Sequence, residues 1–174
     1  NLLLWRDKTV DGLKTGHTDE AGYCMVASAV RDGQRLIAVV FGTNSEQSRA
    51  AETQKLLTYG FRFFETQTFY QKGTELTKSP VWKGATGEVK AGLANDLTLT
   101  MPKGQLKRLQ ASMTMNPQLT APIAKGDVIG KVEVKLDEKV VHSADLIALD
   151  GVEEGGFFRR MWDSIRLFFY GLFN

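Results

Sequence analysis

One cysteine (Cys24) and two histidines (His17 and His142) are the only thiol and imidazole groups among the 174 residues. A single cysteine excludes a disulfide framework and a multi-cysteine zinc site. The two histidines lie far apart in sequence and form no metal-ligand spacing, so neither a metal nor another cofactor is expected. Only four prolines are present, and the seventeen glycines follow no period, which excludes collagen-like and proline-rich chains. No run of about 18 uncharged apolar residues occurs, so no segment reads as a helix that spans a bilayer. Neither sign of charge dominates. The 22 basic and 20 acidic residues leave a net charge of +2, which gives no general attraction to nucleic acid. The opening Asn1-Leu2-Leu3-Leu4 has no methionine and no signal-like pattern, and reads as a processed or truncated product.

What is present is apolar material, 43% of the chain, enough for one comfortable domain or two small ones. Three textures follow one another. In residues 1–66, Met25–Val30 and Leu36–Phe41 are apolar runs joined by Arg31-Asp32-Gly33-Gln34, which predicts an antiparallel hairpin buried on both faces. Thr43 with Glu46 three residues on resembles a capping box, and Ala50, Leu57, Phe61 and Phe64 recur at helical spacing. The pattern predicts an amphipathic helix over 45–64, packed on an antiparallel sheet. Gly60 weakens that helix by about 1 kcal/mol relative to alanine.

In residues 67–150 the helical period disappears. Four Lys-Gly pairs (72–73, 83–84, 103–104 and 125–126) punctuate short runs, as turn chemistry does. Leu97, Leu99 and Met101 alternate with threonines, and Val132, Val134 and Leu136 alternate with charges, the period of half-buried strands. Asp137-Glu138 falls where a hairpin would turn. The region reads as a small all-β sandwich domain.

Residues 151–174 change again. Phe157, Phe158, Met161, Trp162, Ile165, Phe168, Phe169, Leu172 and Phe173 gather on one face of a helix, with Arg159, Arg160, Asp163, Ser164 and Arg166 on the other. Such a helix is too short and too charged to cross a bilayer but suits its interface, with the arginines facing anionic head groups in a salt-sensitive way. Packing on the β domain or in a protein groove is the plainer reading. Gly155-Gly156 reads as a flexible joint.

The residues with most chemistry are Val10-Asp11-Gly12-Leu13-Lys14-Thr15-Gly16-His17-Thr18. An ammonium and a hydroxyl beside a residue without a side chain can hold a carboxylate while a substrate backbone approaches the strand. The tripeptide alone is a weak signal, more often a surface turn than a site.

Its context is specific. This segment, followed by Ala21-Gly22-Tyr23 and the apolar run 25–30, resembles the penicillin-binding proteins, and among them the low-molecular-mass D-alanyl-D-alanine carboxypeptidases. The resemblance continues through Leu56–Glu65, resumes at Ala121–Gly130 and ends in an amphipathic tail after Glu154-Gly155. It implies residues 1–66 as the C-terminal part of a penicillin-binding transpeptidase-like lobe (antiparallel strands plus helix), 67–150 as an all-β C-terminal domain and 151–174 as a membrane-anchor helix. It also implies a periplasmic hydrolase of peptidoglycan maturation, peripherally attached to the bacterial inner membrane. Lys14 and Thr15 would bind the terminal carboxylate of a stem peptide ending in D-Ala-D-Ala, or of a β-lactam that mimics it; Gly16 and His17 complete the motif.

The family's two other motifs, Ser-x-x-Lys and Ser-x-Asn, are absent. Ser28 leads to Arg31, Ser45 to Ser48 and Ser112 to Met115, and no serine precedes an asparagine by two. Without nucleophile and base there is no acyl-enzyme, so the chain by itself is expected to be inactive, with catalytic residues: none. A β-lactamase, and a non-catalytic membrane-anchored β module that positions partners, are the alternatives. An apolar face left uncovered in residues 1–64 would favour self-association. Elsewhere plain readings are preferred: Cys24 as a small core residue, Trp82 as core, Asp19-Glu20 as a solvated loop, and Trp5 and Asp7 as fold elements.

Overall fold

The two apolar runs form β2 (Gly22–Arg31) and β3 (Gln34–Thr43), joined by a two-residue turn with Asp32 at φ 49° and Gly33 at φ 79°. That left-handed pair gives the turn a twist matching the strands, and Arg31 faces Gln34 across it. The computed structural model describes the backbone of residues 1–173 and the side chains of residues 1–169. The chain divides into two units: Asn1–Gln67 with Thr100–Leu106, and Thr68–Leu99 with Lys107 onward.

The first unit begins with a single helical turn, α1 (Leu3–Arg6), and then β1 (Val10–Thr18). It is a three-stranded antiparallel sheet in the order β1-β2-β3 with α2 (Glu46–Phe63) laid on one face. Met25, Ala27, Ala29 and Ala38 from the strands meet Ala50 and Leu57 from the helix, with Leu3 and Val10 closing the core. Small residues on the sheet let the helix approach closely. Gly60 serves the same end, because a Cβ there would lie 2.4 Å from Leu36 Cδ1. The expectation of a hairpin buried on both faces is corrected. Ile37, Val39 and Phe41 alternate with Ala38 and Val40, stand on the face away from α2, and are exposed. The helix cap also differs from expectation. Ser45, not Thr43, accepts the Ser48 N–H at 3.0 Å, while the Thr43 hydroxyl donates to Tyr23 O at 2.9 Å.

Asp7 ties this unit together. Its carboxylate accepts from Thr9 N (2.9 Å) and Thr9 Oγ1 (2.6 Å), Gln54 Nε2 on α2 (3.0 Å) and Arg31 Nη2 at the end of β2 (2.7 Å). The Thr9 hydroxyl, with the Thr9 amide, Gln54 and the Arg31 charge, lowers its pKa to about 2 against the opposing effect of burial.

The remaining strands are β4 (Phe64–Tyr70), β5 (Thr77–Trp82), β6 (Glu88–Gly92), β7 (Leu97–Pro102), β8 (Leu109–Met115), β9 (Leu119–Thr120), β10 (Val128–Leu136) and β11 (Lys139–Ala148). β4 and β7 pair as a two-stranded ribbon. The second unit is built on a six-stranded sheet ordered β8-β10-β11-β6-β5-β9, antiparallel except for the β5–β9 pair. Val132 and Val134 of β10, Leu146 and Ala148 of β11, and Val89 and Ala91 of β6 are fully buried in its core. The β10–β11 hairpin turns at Asp137-Glu138, both at positive φ. Of the Lys-Gly pairs, three turn on a glycine at positive φ; at Lys83-Gly84 the roles swap and Lys83 itself takes φ 59°. Gly84 is needed for space, since a Cβ would meet Thr86 O and Val152 Cγ1 at 2.7 Å. The chain ends in α3 (Phe157–Phe173).

Candidate functional site

Lys14, Thr15, Gly16 and His17 lie in succession on β1, which pairs only with β2 and so leaves its other edge free among the described residues. The register sets Lys14 opposite Val26, Thr15 opposite Met25, Gly16 opposite Cys24 and His17 opposite Tyr23. Side chains alternate along a strand, so Lys14 and Thr15 flank the edge from opposite faces. A single group meeting both must therefore lie along the edge itself. The Lys14 ammonium donates to the neighbouring Thr15 O at 2.8 Å and is solvent-exposed, free to turn to another acceptor. A Cβ on Gly16 would meet nothing within 4 Å, so the space beside the strand is open. The edge can receive an extended backbone, with a cation and a hydroxyl near its carboxylate end.

Two neighbours hold the strand in place. The His17 imidazole stacks on Tyr23 with ring centroids 3.9 Å apart. Arg49, on α2, donates from Nη1 to Gly16 O at 3.2 Å and from Nη2 to Glu46 Oε1 at 2.8 Å, with its guanidinium 5.5 Å from the Tyr23 ring centroid. The residue is only 8% exposed. Arg49 was not singled out from the sequence. The available signal is its spacing: Arg49, Ala50, Thr53 and Leu57 form the buried stripe of α2, and a cation on such a stripe demands a partner. Cys24 is half-buried rather than a core residue, with Sγ 3.4 Å from Ala21 O. Trp5, expected as a fold element, is 90% exposed. No cluster of metal-ligating side chains occurs among the described residues.

The tail residues fall elsewhere, on α3 in the second unit. Phe157, Phe158, Met161, Trp162, Ile165, Phe168 and Phe169 are all exposed. The side chains of Leu172 and Phe173, expected on the same face, lie outside the described residues. No described helix is long and apolar enough to cross a membrane.

Residues 64–154 match the family described as penicillin-binding protein 5, C-terminal domain, and residues 1–45 match the family described as D-alanyl-D-alanine carboxypeptidase. The chain belongs to the low-molecular-mass penicillin-binding protein family, through the penicillin-binding protein 5 C-terminal domain that takes up more than half its length. It is 46% identical over 176 residues to D-alanyl-D-alanine carboxypeptidase DacC of Escherichia coli K12, a match covering all of this chain and 44% of that protein. Against DacA of Haemophilus influenzae it is 43% identical over 178 residues, covering all of this chain and 45% of that one. The structure of penicillin binding protein 5 from Haemophilus influenzae superposes with a TM-score of 0.81 at 42% identity, over 87% of this chain and 45% of that chain. The chain thus spans less than half the length of these relatives.

Proposed function

We propose that this chain carries the carboxylate-binding strand and the β-rich module of a serine-type D-alanyl-D-alanine carboxypeptidase of peptidoglycan maturation. The observation that carries the reading is Lys14-Thr15-Gly16 on the free edge of β1, within the stretch matching the carboxypeptidase family. A stem peptide ending in D-Ala-D-Ala, or a β-lactam of the same shape, lies along that edge. Its carboxylate takes the Lys14 ammonium and the Thr15 hydroxyl, and its backbone adds to the strand. His17, stacked on Tyr23, closes the end of the motif. In the intact enzyme, acyl transfer to a serine is followed by hydrolysis. Residues 1–66 then form part of a transpeptidase-like lobe, 67–150 an all-β domain and 151–174 an anchor.

This chain contains neither Ser-x-x-Lys nor Ser-x-Asn, so on its own it forms no acyl-enzyme. Incubation with labelled penicillin tests this: no covalent band is expected at its mass, and a stable band would overturn the assignment. The exposed Ile37, Val39 and Phe41 favour self-association of the isolated chain.

The tail supports attachment to a lipid surface, which for a carboxypeptidase acting on the wall means the periplasmic face of the inner membrane. Seven large apolar side chains, Trp162 among them, share an uncharged exposed face on a helix unable to span. At about 1.5–3 kcal/mol for each large side chain fully buried, even partial insertion gives several kcal/mol. Removing residues 153–174 should abolish co-sedimentation with liposomes, and Phe168→Asp with Phe169→Asp should weaken it. Equal pelleting with and without the tail, or a dimer formed through the tail in the absence of lipid, would contradict this reading.

A further inference from the structure

One residue on the polar side of α3, Asp163, is buried against the second unit while the others stay exposed. Asp163 is 9% exposed on a helix whose neighbouring side chains are mostly in solvent, and its Oδ2 accepts the Lys83 N–H at 2.8 Å. Lys83 is the turn residue at φ 59°, and this turn is gripped a second time by the chain leading into the helix. Ala85 N donates to Glu153 O and Gly155 N donates to Lys83 O, both at 2.7 Å, and Gly84 bridges Glu154. The expected flexible joint is therefore absent at Gly155, which is buried, with Gly84 O 2.9 Å from where a Cβ would stand. The arginines are engaged as well. Arg159 Nη1 donates to Ala85 O at 3.0 Å, Arg160 pairs with Glu154, and the Arg166 guanidinium lies 5.6 Å from the Trp82 ring centroid. Helical spacing places Arg159, Arg160 and Arg166 four before, three before and three after Asp163, on the same side of the helix.

We propose that Asp163 is the positioning residue that seats α3 on the Lys83–Ala85 turn, so that the apolar row meets lipid with the β unit held at a fixed attitude and the arginines, tied to Ala85 O, Glu154 and the Trp82 ring, add little to head-group binding. The inference rests on the lipid-surface reading above and deepens it. A tethered helix would let the β unit swivel and would turn its arginines to anionic lipid. A seated helix presents its phenylalanine, methionine, isoleucine and tryptophan row with its arginines tied to protein partners, so its attachment depends little on salt or head-group charge.

The test uses the whole chain with Asp163→Ala and Asp163→Asn, read in two ways. Without lipid, amide hydrogen exchange at Lys83 should quicken about tenfold to a hundredfold in Asp163→Ala, the range for losing a hydrogen bond to a charged group. Asp163→Asn, which keeps an acceptor oxygen, should restore most of the protection. Val132 and Val134 should stay protected in both, showing that the sheet is intact. Unchanged exchange at Lys83 in Asp163→Ala would overturn the seat, and so would equal loss in Asp163→Asn. With vesicles, the unsubstituted chain should pellet equally with phosphatidylcholine alone and with phosphatidylcholine–phosphatidylglycerol, at low and high salt. Asp163→Ala should gain a preference for the anionic mixture as its arginines are released. A marked anionic preference in the unsubstituted chain would overturn the claim about the arginines. Failure to pellet with either vesicle, with the exchange result intact, would sink the lipid reading and leave the seat standing.

Discussion

Arg49 and Gly16 lie 33 positions apart and are joined by one hydrogen bond, from a buried guanidinium on α2 to the carbonyl of the glycine in the Lys-Thr-Gly strand. The bond fixes where the free edge of β1 stands relative to the helix. It gives Gly16 a role besides leaving room: its carbonyl is held from behind while the space in front stays open.

Arg49→Ala should loosen that edge. The substitution removes a charged donor from Gly16 O and leaves Glu46 without its partner, a loss of about 1.5–3 kcal/mol. Arg49→Lys should restore little, because a single ammonium cannot serve Gly16 O, Glu46 and the Tyr23 ring together. Hydrogen exchange along β1 and β2 is the measurement, and protection equal to the unsubstituted chain would contradict the assignment.

Asp7 makes acid stability a specific expectation. Its folded pKa of about 2 lies below the ordinary 3.8. Its contribution is therefore present above about pH 4 and is lost as pH falls toward and through 2. Asp7→Asn should destabilise the first unit at neutral pH and flatten its acid dependence over that window. An acid-unfolding profile that Asp7→Asn leaves unchanged in slope would remove the role given to this carboxylate.

Gly130 closes the resembling segment Ala121–Gly130 and sits on β10 opposite Met115 of β8. A Cβ there would fall 2.6 Å from Thr114 O and 3.1 Å from Met115 Cα, both backbone atoms. Gly130→Ala should cost about 1–3 kcal/mol by overpacking, despite the usual gain from replacing glycine. Denaturant unfolding with an unchanged midpoint would show that the two strands can part freely.

Much of this architecture is legible in the residues, and the failures share a cause. The β2–β3 and β10–β11 hairpins were readable because Asp-Gly and Asp-Glu turns interrupt alternating or apolar runs, and turn chemistry is local. The cap of α2 differs from the sequence expectation because Thr43 fits a capping box, whereas β3 extends through it and its hydroxyl donates to Tyr23 O. Ile37, Val39 and Phe41 are exposed against expectation because an apolar run does not reveal how many faces have a covering element. At the site, Lys14, Thr15, Gly16 and His17 stand together because they are consecutive. Arg49 stayed hidden because its partner is a backbone carbonyl, which has no sequence signature. The sequence assigns Asp163 to the polar side of α3 and no further, because periodicity separates polar from apolar sides but does not say that one polar residue docks.

The central claim is that Lys14 holds the substrate carboxylate. Its most direct test is the second-order rate of acylation by labelled penicillin in a longer protein that carries these 174 residues together with a Ser-x-x-Lys and Ser-x-Asn segment. Lys14→Ala should lower that rate about tenfold to a hundredfold, the range for losing a charge-assisted hydrogen bond. Lys139→Ala, at the start of β11, should leave the rate unchanged. Equal and small effects from both substitutions would contradict the assignment of the β1 edge as the carboxylate-binding site.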